Sequence, residues 1–234
     1  MLCQNIGLLL AAGISSRFNY DKPKQLYKIN DIPIIMYSVN ALINIVSILI
    51  IITNSTCYAE IKNLVQDYEK VVVLVNDVNC RLESIAIGLR YIKNSYDLYN
   101  NSLRRMHIEP TQDTLQIIIH DAARPFINEN HIKDLLNNLN DKCLYSQYYL
   151  KLVNGLYNAK SKEMVNRDDY IEICTPLVSD FDLYYSIFMK YINNPCRIAY
   201  EHISVMDKYK YKYKLVEGNN SYLRKITYYD DIIY

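Results

Sequence analysis

Residues 8–25 of the chain read LLLAAGISSRFNYDKPKQ, and this stretch is the most informative about the fold. An apolar run ends in the small residues at 11–13, and two cations, Arg17 and Lys24, follow it. Small residues after a strand let a phosphate approach the backbone N–H groups, and nearby cations can neutralise its charge. The stretch therefore predicts a loop that binds a nucleoside triphosphate and helps to break it.

A simpler interpretation of the same residues is a turn that caps a helix, with both cations solvated. Two well-known phosphate-binding motifs do not match the stretch. A dinucleotide fingerprint needs G-x-G-x-x-G, whereas only Gly13 is present, and no P-loop sequence G-x-x-x-x-G-K-S/T occurs. These absences make an NAD-dependent dehydrogenase and a P-loop protein poor candidates.

Outside this stretch, apolar β-branched runs alternate with helix-like segments. The predicted strands are residues 5–10, 47–53, 71–76 and 115–120, and the predicted helices are residues 34–44, 56–67, 81–93 and 129–140. Such alternation is typical of βαβ units, and continuous apolar strands fit burial on both faces. We expect an α/β fold with a mostly parallel, twisted sheet flanked by helices. Buried helix segments are the alternative interpretation of the apolar runs.

Two other segments have distinct patterns. Residues 94–113 are polar and rich in Asn and Tyr, which predicts a surface loop or insertion. Residues 208–214 read KYKYKYK, and this period of two predicts a strand with one basic face. We find no repeat and no convincing linker, so we expect residues 1–234 to form a single domain.

The amino-acid composition limits which binding partners and which cellular compartment we expect. A net charge of +1 gives no electrostatic reason to expect nucleic acid or an anionic membrane as a partner. The six cysteines form no C-x-x-C pair, so metal-ligand spacing is absent, and this usage suits a reducing cytosol. The first residues carry no basic signal region, and the longest apolar run is too short to cross a bilayer. We therefore expect a cytoplasmic protein.

A second motif, HDAARPF at residues 120–126, directly follows a predicted strand. Ligands of open parallel sheets bind beyond the carboxyl ends of the strands. Asp121 is placed there, where a carboxylate can hold Mg²⁺ or a ribose hydroxyl. His120 is expected to be a buried strand-end residue that orients the loop.

Further positions carry groups that suit a ligand. Ser84 would lie in the first turn of a helix, where its hydroxyl can face a base or a phosphate or can simply cap the helix. Later motifs contain Arg167, Thr175 and Lys225. Arg and Lys side chains are suited to bind the phosphate of a phosphorylated acceptor. Ordinary loop chemistry is the alternative for these later motifs.

Taken in order, the motifs resemble the 2-C-methyl-D-erythritol 4-phosphate cytidylyltransferase family, whose relatives include ribitol 5-phosphate cytidylyltransferases. The resemblance runs from about Ile6 to the C-terminus, and its most specific parts are residues 11–25 and 120–125. It implies a Rossmann-like nucleotidyltransferase fold. It also implies a homodimer, in which a β-arm at about residues 151–170 reaches into the partner subunit.

The resemblance implies three groups of site residues. The catalytic cations would be Arg17 and Lys24. The nucleotide-binding group, which would contact CTP, comprises Ala11, Ala12, Gly13, Ser84 and Asp121. The acceptor-binding group, which would contact the acceptor phosphate, comprises Arg167, Thr175 and Lys225. Asp121 would also lie near Mg²⁺, and Arg167 would come from the neighbouring subunit.

The implied reaction is attack of an acceptor phosphate oxygen on the α-phosphorus of CTP. Pyrophosphate leaves and a CDP-alcohol forms, with Mg²⁺ bridging the triphosphate. Several positions depart from the family pattern. Ser15 replaces a loop glycine, Val78 and Asn79 stand where glycines and an acid are usual near the base, and the arm entry at residues 152–156, Leu177 and residues 200–204 differ as well. These departures leave a degenerate, non-catalytic nucleotide-binding protein as an alternative.

The chemical identity of the acceptor is the most detailed part of the prediction. Ala123 and Phe18 favour methylerythritol phosphate, because the ribitol-type relatives have Val and Met at these positions. The segment at residues 216–228 and the polar stretch at residues 94–113 resemble ribitol-type relatives instead. We expect methylerythritol phosphate, with ribitol 5-phosphate as the open alternative.

Overall fold

The structure, a computed structural model, describes residues 4–18, 22–106, 114–192 and 203–232. The strands are β1 (Gln4–Ala11), β2 (Lys28–Ile29), β3 (Ile32–Pro33), β4 (Ile48–Thr53), β5 (Val71–Val75), β6 (Leu115–Asp121), β7 (Tyr145–Lys151), β8 (Leu156–Asn158), β9 (Glu163–Val165), β10 (Ile171–Asp180) and β11 (Lys214–Glu217). The helices are α1 (Ile34–Leu42), α2 (Ser55–Leu64), α3 (Arg81–Arg105), α4 (Glu129–Leu136), α5 (Phe181–Ile192), α6 (Ile203–Lys208) and α7 (Asn220–Leu223). Short 3₁₀ turns cover Lys24–Leu26, Arg167–Asp169 and Tyr229–Ile232.

The central sheet confirms the predicted α/β fold. Its seven strands lie in the order β11-β7-β10-β6-β1-β4-β5. Strands β6, β1, β4 and β5 are mutually parallel, whereas β10 runs antiparallel to both β6 and β7. Because Leu10 is paired with Asp121 across β1 and β6, the loops that leave these two strands start side by side. This adjacency is what brings the first and second sequence motifs together.

Both faces of the sheet are covered, which explains why its strands are apolar without alternation. Leu9 belongs to a core cluster that includes residues of α1, α2 and α4. Its neighbours Leu8 and Leu10 belong to the opposite cluster, which includes residues of α3 and α5. The apolar runs are therefore strands, and their interpretation as buried helix segments is wrong.

The longest helix corrects the prediction of a loop over residues 94–113. Residues 94–105 continue α3, which is 25 residues long, while residues 107–113 lie outside the described residues. The helix continues because no glycine or proline interrupts residues 89–105, Lys93 and Asp97 form an ion pair of 3.3 Å, and Tyr96 packs on the core. Within the described ranges, no helix combines the length and apolar character needed to cross a membrane.

The predicted strand at residues 208–214 is also wrong. Helix α6 ends at Lys208, the backbone turns at Lys210 with a φ of 57°, and strand pairing with β7 begins only at Lys214. The hydroxyl of Tyr213 donates a hydrogen bond of 2.8 Å to Asp207, which holds this turn against the helix. The alternation of Lys and Tyr therefore reflects a turn, not a pleated strand.

A small hairpin lies where the resemblance implies a β-arm. Strands β8 and β9 pair only with each other and not with the central sheet. Most residues of the hairpin are exposed, including Tyr157 and Met164. The hairpin joins β7 to β10, within the range 151–170 that was expected for the arm.

Candidate active site

The loop that follows β1 presents its backbone to solvent. Ala11 and Ala12 are buried at the end of the strand, whereas Gly13 and the residues up to Arg17 are largely exposed. A Cβ added at Gly13 would meet no atom within 4 Å, so packing within the chain does not require a glycine there. The space over Gly13 is therefore open to a ligand.

Gln25 lies beneath this loop and was not assigned a role from the sequence. Its side chain is 4% exposed, and its Nε2 donates hydrogen bonds of 2.6 Å to the carbonyls of both Ala11 and Gly13. Its Oε1 accepts a hydrogen bond of 3.0 Å from the Ser15 hydroxyl. Gln25 thus holds the loop on the strand that precedes it.

A cavity of about 310 Å³ opens beside the loop. Arg17, Lys24 and Asp121 all line it, so the three groups that the sequence predicted to converge share one cavity. Arg81 and Lys225 also line it, which gives four cations and one acid around the same space. A cavity with this excess of positive charge is suited to a polyanionic ligand such as a triphosphate.

Lys24 enters the cavity from the 3₁₀ turn at Lys24–Leu26. Its Nζ donates a hydrogen bond of 2.8 Å to the carbonyl of Ile226. Burial, together with the nearby charges of Lys225 and Arg17, lowers the pKa of Lys24 from 10.5 to about 8. Its ammonium group is therefore destabilised in the absence of an anion, and a bound phosphate would relieve that destabilisation.

Arg17 is exposed at the edge of the cavity and forms no hydrogen bond or ion pair with another described residue. Its charge acts on Lys24, which places the two cations within electrostatic range of each other. Two neighbouring cations repel each other, and the charge of Arg17 contributes to the lowered pKa of Lys24. An anion between them would stabilise both.

Asp121 is almost completely buried and is bound by two cations. Arg81 Nε lies 3.1 Å from one carboxylate oxygen, and Lys225 Nζ lies 3.0 Å from the other. Burial alone would raise the pKa of Asp121, but Arg81 and Lys225 outweigh that effect and hold it well below its ordinary value. The carboxylate is therefore ionised at neutral pH and fixes both cations at the cavity wall.

The loop after β6 is held by buried contacts. His120 is fully buried, and its Nε2 lies 3.0 Å from the carbonyl of Arg124. Burial lowers the pKa of His120 to about 4, so the ring is neutral at pH 7. The guanidinium of Arg124 donates to the carbonyl of Leu223 and lies 3.5 Å from Glu172. These contacts agree with the expectation that His120 orients the loop, and they tie the loop to the C-terminal segment that carries Lys225.

The structure places the other three predicted site residues, Thr175, Ser84 and Arg167, in different surroundings. Thr175 is 2% exposed and does not line the cavity; its Oγ1 accepts a hydrogen bond of 3.1 Å from the backbone N–H of Asp121. Ser84 lines the cavity, but its hydroxyl is buried and accepts a hydrogen bond of 2.8 Å from Asn76. Arg167 lies on the exposed turn after the hairpin, beside Val153 and Asp168, and outside the cavity.

The burial of Thr175 has a simple physical cause. Thr175 lies within β10, which pairs with both β6 and β7 in the middle of the sheet, so its side chain is buried. The roles of Gln25 and Arg81 were missed because their partners are distant or backbone atoms that no local spacing reveals. Gln25 nevertheless lies within the stretch at residues 8–25 with which the sequence analysis began.

The cavity offers few oxygen ligands from the protein to Mg²⁺. Among the described residues, no group of three or more His, Cys, Asp or Glu side chains is placed to hold a metal ion. Asp121 offers a single ionised carboxylate, which has more acceptor sites than its two cationic partners occupy. Mg²⁺ is commonly held by one or two carboxylates together with substrate phosphates. The residues therefore fit an ion that arrives with a triphosphate, not an all-protein metal site.

Comparison with known proteins adds an independent line of evidence. The family model described as IspD, 2-C-methyl-D-erythritol 4-phosphate cytidylyltransferase, matches residues 6–234. A 2-C-methyl-D-erythritol 4-phosphate cytidylyltransferase from Bifidobacterium longum is 30% identical over 131 residues, which is 54% of this chain and 40% of the relative. The chain thus spans less than half of that relative. An enzyme of the same name from Clostridium novyi is 23% identical over 99% of this chain and 94% of its own length.

The fold is similar to that of a solved protein. The crystal structure of a 4-diphosphocytidyl-2C-methyl-D-erythritol synthase from Anaerococcus prevotii superimposes with a TM-score of 0.75. The match covers 98% of this chain and 95% of that one, at 19% sequence identity. This structural likeness supports the fold, whereas membership of the family rests on the match to the family model.

Proposed function

Because the chain belongs to the 2-C-methyl-D-erythritol 4-phosphate cytidylyltransferase family, we propose that it transfers CMP from CTP to 2-C-methyl-D-erythritol 4-phosphate. The observation that carries the proposal is the cavity wall, where four cations and one acid surround the open backbone of Gly13. The names of the relatives from Bifidobacterium longum and Clostridium novyi support methylerythritol phosphate as the acceptor.

The triphosphate of CTP fits the cavity beside the loop after β1. The backbone over Gly13 is open to a phosphate, and Arg17 and Lys24 stand at the same cavity. The cytidine would extend towards the wall formed by residues 78–80. Ser84 lies behind this wall. Its hydroxyl accepts a hydrogen bond from Asn76, whose Oδ1 accepts one from the Val78 N–H, so Ser84 would support the base-binding segment.

The chemical step needs positioning and charge neutralisation and no covalent intermediate on the protein. A phosphate oxygen of the acceptor forms a bond to the α-phosphorus, the α–β bridging P–O bond breaks, and pyrophosphate leaves with that electron pair. Lys24 and Arg17 stabilise the negative charge that accumulates on the phosphoryl oxygens. Bound Mg²⁺, held by Asp121 and the triphosphate, would supply further charge neutralisation.

The acceptor end of the site depends on Lys225 and on a second copy of the chain. Lys225 lies at the cavity, 3.0 Å from Asp121, and is 40% exposed, so a phosphate can approach it. Arg167 lies outside its own cavity on the exposed hairpin segment. We propose a homodimer in which the hairpin carries Arg167 towards the partner's acceptor site.

A pyrophosphate-release assay tests the function. Purified protein receives CTP and Mg²⁺ with methylerythritol 4-phosphate, with ribitol 5-phosphate, or with no acceptor. We expect release with methylerythritol 4-phosphate to exceed release with ribitol 5-phosphate, and no release without acceptor. Release only with ribitol 5-phosphate would change the acceptor, and CTP binding without any release would indicate a non-catalytic nucleotide-binding protein.

A further inference from the structure

Ser15 has a backbone conformation that favours glycine. Its φ is 56°, in the left-handed region, where a side chain beyond hydrogen introduces strain. Gly13, two residues earlier in the same loop, has no positive φ. The chain therefore has a serine at the loop position where the backbone would be more relaxed as glycine, which raises the question of what the hydroxyl contributes.

The Ser15 hydroxyl forms two hydrogen bonds that join the loop to the turn carrying Lys24. Its Oγ accepts a hydrogen bond of 3.1 Å from the backbone N–H of Lys24 and donates one of 3.0 Å to Gln25 Oε1. The Gln25 amide in turn donates to the carbonyls of Ala11 and Gly13. Ser15 thereby closes a hydrogen-bonded network, the serine clasp, between the end of β1 and the start of the 3₁₀ turn.

The serine clasp fixes the backbone of Lys24. The backbone N–H of Lys24 is held by Ser15, and the other end, Nζ, is held by the carbonyl of Ile226. A glycine at position 15 would relax the backbone but would leave the Lys24 N–H and Gln25 Oε1 without this partner. The loop and the lysine could then shift relative to each other.

We propose that the Ser15 hydroxyl is a positioning group, which sets the location of the Lys24 ammonium relative to the phosphate-binding loop. This inference rests on the proposed function, because Lys24 must act on the triphosphate for its position to affect turnover. Small displacements of a catalytic group cost far more in rate than in ground-state binding. The clasp should therefore affect kcat more than the KM for CTP.

Two substitutions at the same position separate the hydroxyl from the backbone strain. Ser15→Ala keeps the Cβ and the strain but removes the hydroxyl, and Ser15→Gly removes both. We expect each variant to lower kcat by about tenfold or more, with the KM for CTP changed by less than about threefold. Ser15→Gly should melt at a higher temperature than Ser15→Ala, because it relieves the left-handed strain.

The matched control is Ser47→Ala, which removes a hydroxyl that donates to the carbonyl of Asn5, away from the cavity. It should retain wild-type kcat. If Ser15→Gly or Ser15→Ala turns over within twofold of wild type, the hydroxyl does not position Lys24 and the inference is wrong.

A second readout needs no turnover. The Lys24 ammonium is followed by NMR titration in wild type and Ser15→Ala, with Arg17, Lys225, Asp121 and Asp231 as the charged groups that act on it. We expect the titration midpoint to move and the Lys24 amide to exchange faster in the variant. If wild type releases no pyrophosphate, the proposed function fails, and this titration alone decides the inference: an unchanged midpoint would overturn it.

Discussion

Gly13 and Gly88 show at the residue scale how differently two glycines of one fold can be used. A Cβ at Gly13 would meet nothing within 4 Å, whereas a Cβ at Gly88 would come within 2.3 Å of Leu8 Cδ1. Gly88 therefore allows α3 to pack closely on β1. Gly13 leaves space that is open to a ligand.

The substitution Gly13→Ala should weaken CTP binding without lowering the melting temperature. A methyl group at this position has space in the free protein but would occupy the approach of a phosphate to the backbone. We expect the Kd for CTP, measured by calorimetry, to rise by about tenfold. The matched control Gly88→Ala should lower the melting temperature instead, and an unchanged Kd in Gly13→Ala would mean that the phosphate does not pass over this residue.

The pH dependence of kcat/KM should report the ionisation of Lys24. Because burial and neighbouring cations lower its pKa from 10.5 to about 8, the charged form that stabilises the triphosphate is lost as the pH rises through about 8. The kcat/KM for CTP should fall over that range, since this ratio reports on the free enzyme.

Lys24→Arg provides the control for this titration, because a guanidinium remains charged throughout the range. Whatever activity this variant retains should not decline between pH 8 and pH 10. A wild-type profile that stays level up to pH 10 would contradict the pKa assigned to Lys24.

The site residues divide into those that local sequence could reveal and those that it could not. Arg17, Lys24 and Asp121 were found because small residues, cations and an acid follow predicted strands directly. Gln25 and Arg81 were not assigned roles, since Gln25 binds backbone carbonyls and Arg81 pairs with an acid 40 positions away. Such partners become visible only when strand order is known.

At the scale of elements, the alternation of strands and helices was predicted well, whereas the C-terminal ends of the helices were not. Strands β1, β4, β5 and β6 lie within a residue or two of the predicted ranges, because burial on both faces leaves a continuous apolar signal. The C-terminal half of α3 was missed because it has few buried residues and many asparagines. Its ion pair and the absence of helix-breaking residues sustain it instead.

Ser95→Pro tests whether α3 continues beyond residue 93. Ser95 is exposed, so the substitution should act through the backbone and not through packing. Proline inside a helix costs about 3 kcal/mol, and we expect loss of ellipticity at 222 nm and a lower melting temperature. Ser95→Ala, which favours the helix, should leave both unchanged or slightly raised. Tolerance of the proline would restore the original loop prediction.

At the scale of the whole molecule, the proposed dimer would use the exposed hairpin to complete the site. Strands β8 and β9 lie apart from the central sheet, and Arg167 lies outside the cavity of its own chain. Exposed apolar side chains along this segment, such as Val153 and Met164, are suited to contact with a second copy.

Complementation between inactive variants tests this arrangement. We expect Lys24→Ala and Arg167→Ala to be defective alone. After the two are unfolded and refolded together in equal amounts, mixed dimers should contain one intact site each. Activity should then recover to about a quarter of the wild-type value, as random pairing of two variants in a dimer requires. No recovery beyond the sum of the separate variants would show that Arg167 does not serve the partner subunit.

The most direct test of the account compares turnover and CTP affinity in Lys24→Ala, with the exposed neighbour Lys28→Ala as control. If Lys24 acts mainly on charge that develops during CMP transfer, kcat should fall by about 10²–10³-fold, while the Kd for CTP rises by less than about tenfold. Lys28→Ala should match wild type in both. Equal losses of turnover and affinity would show that Lys24 only binds the nucleotide, and unchanged turnover would contradict the assignment of the cavity as the active site.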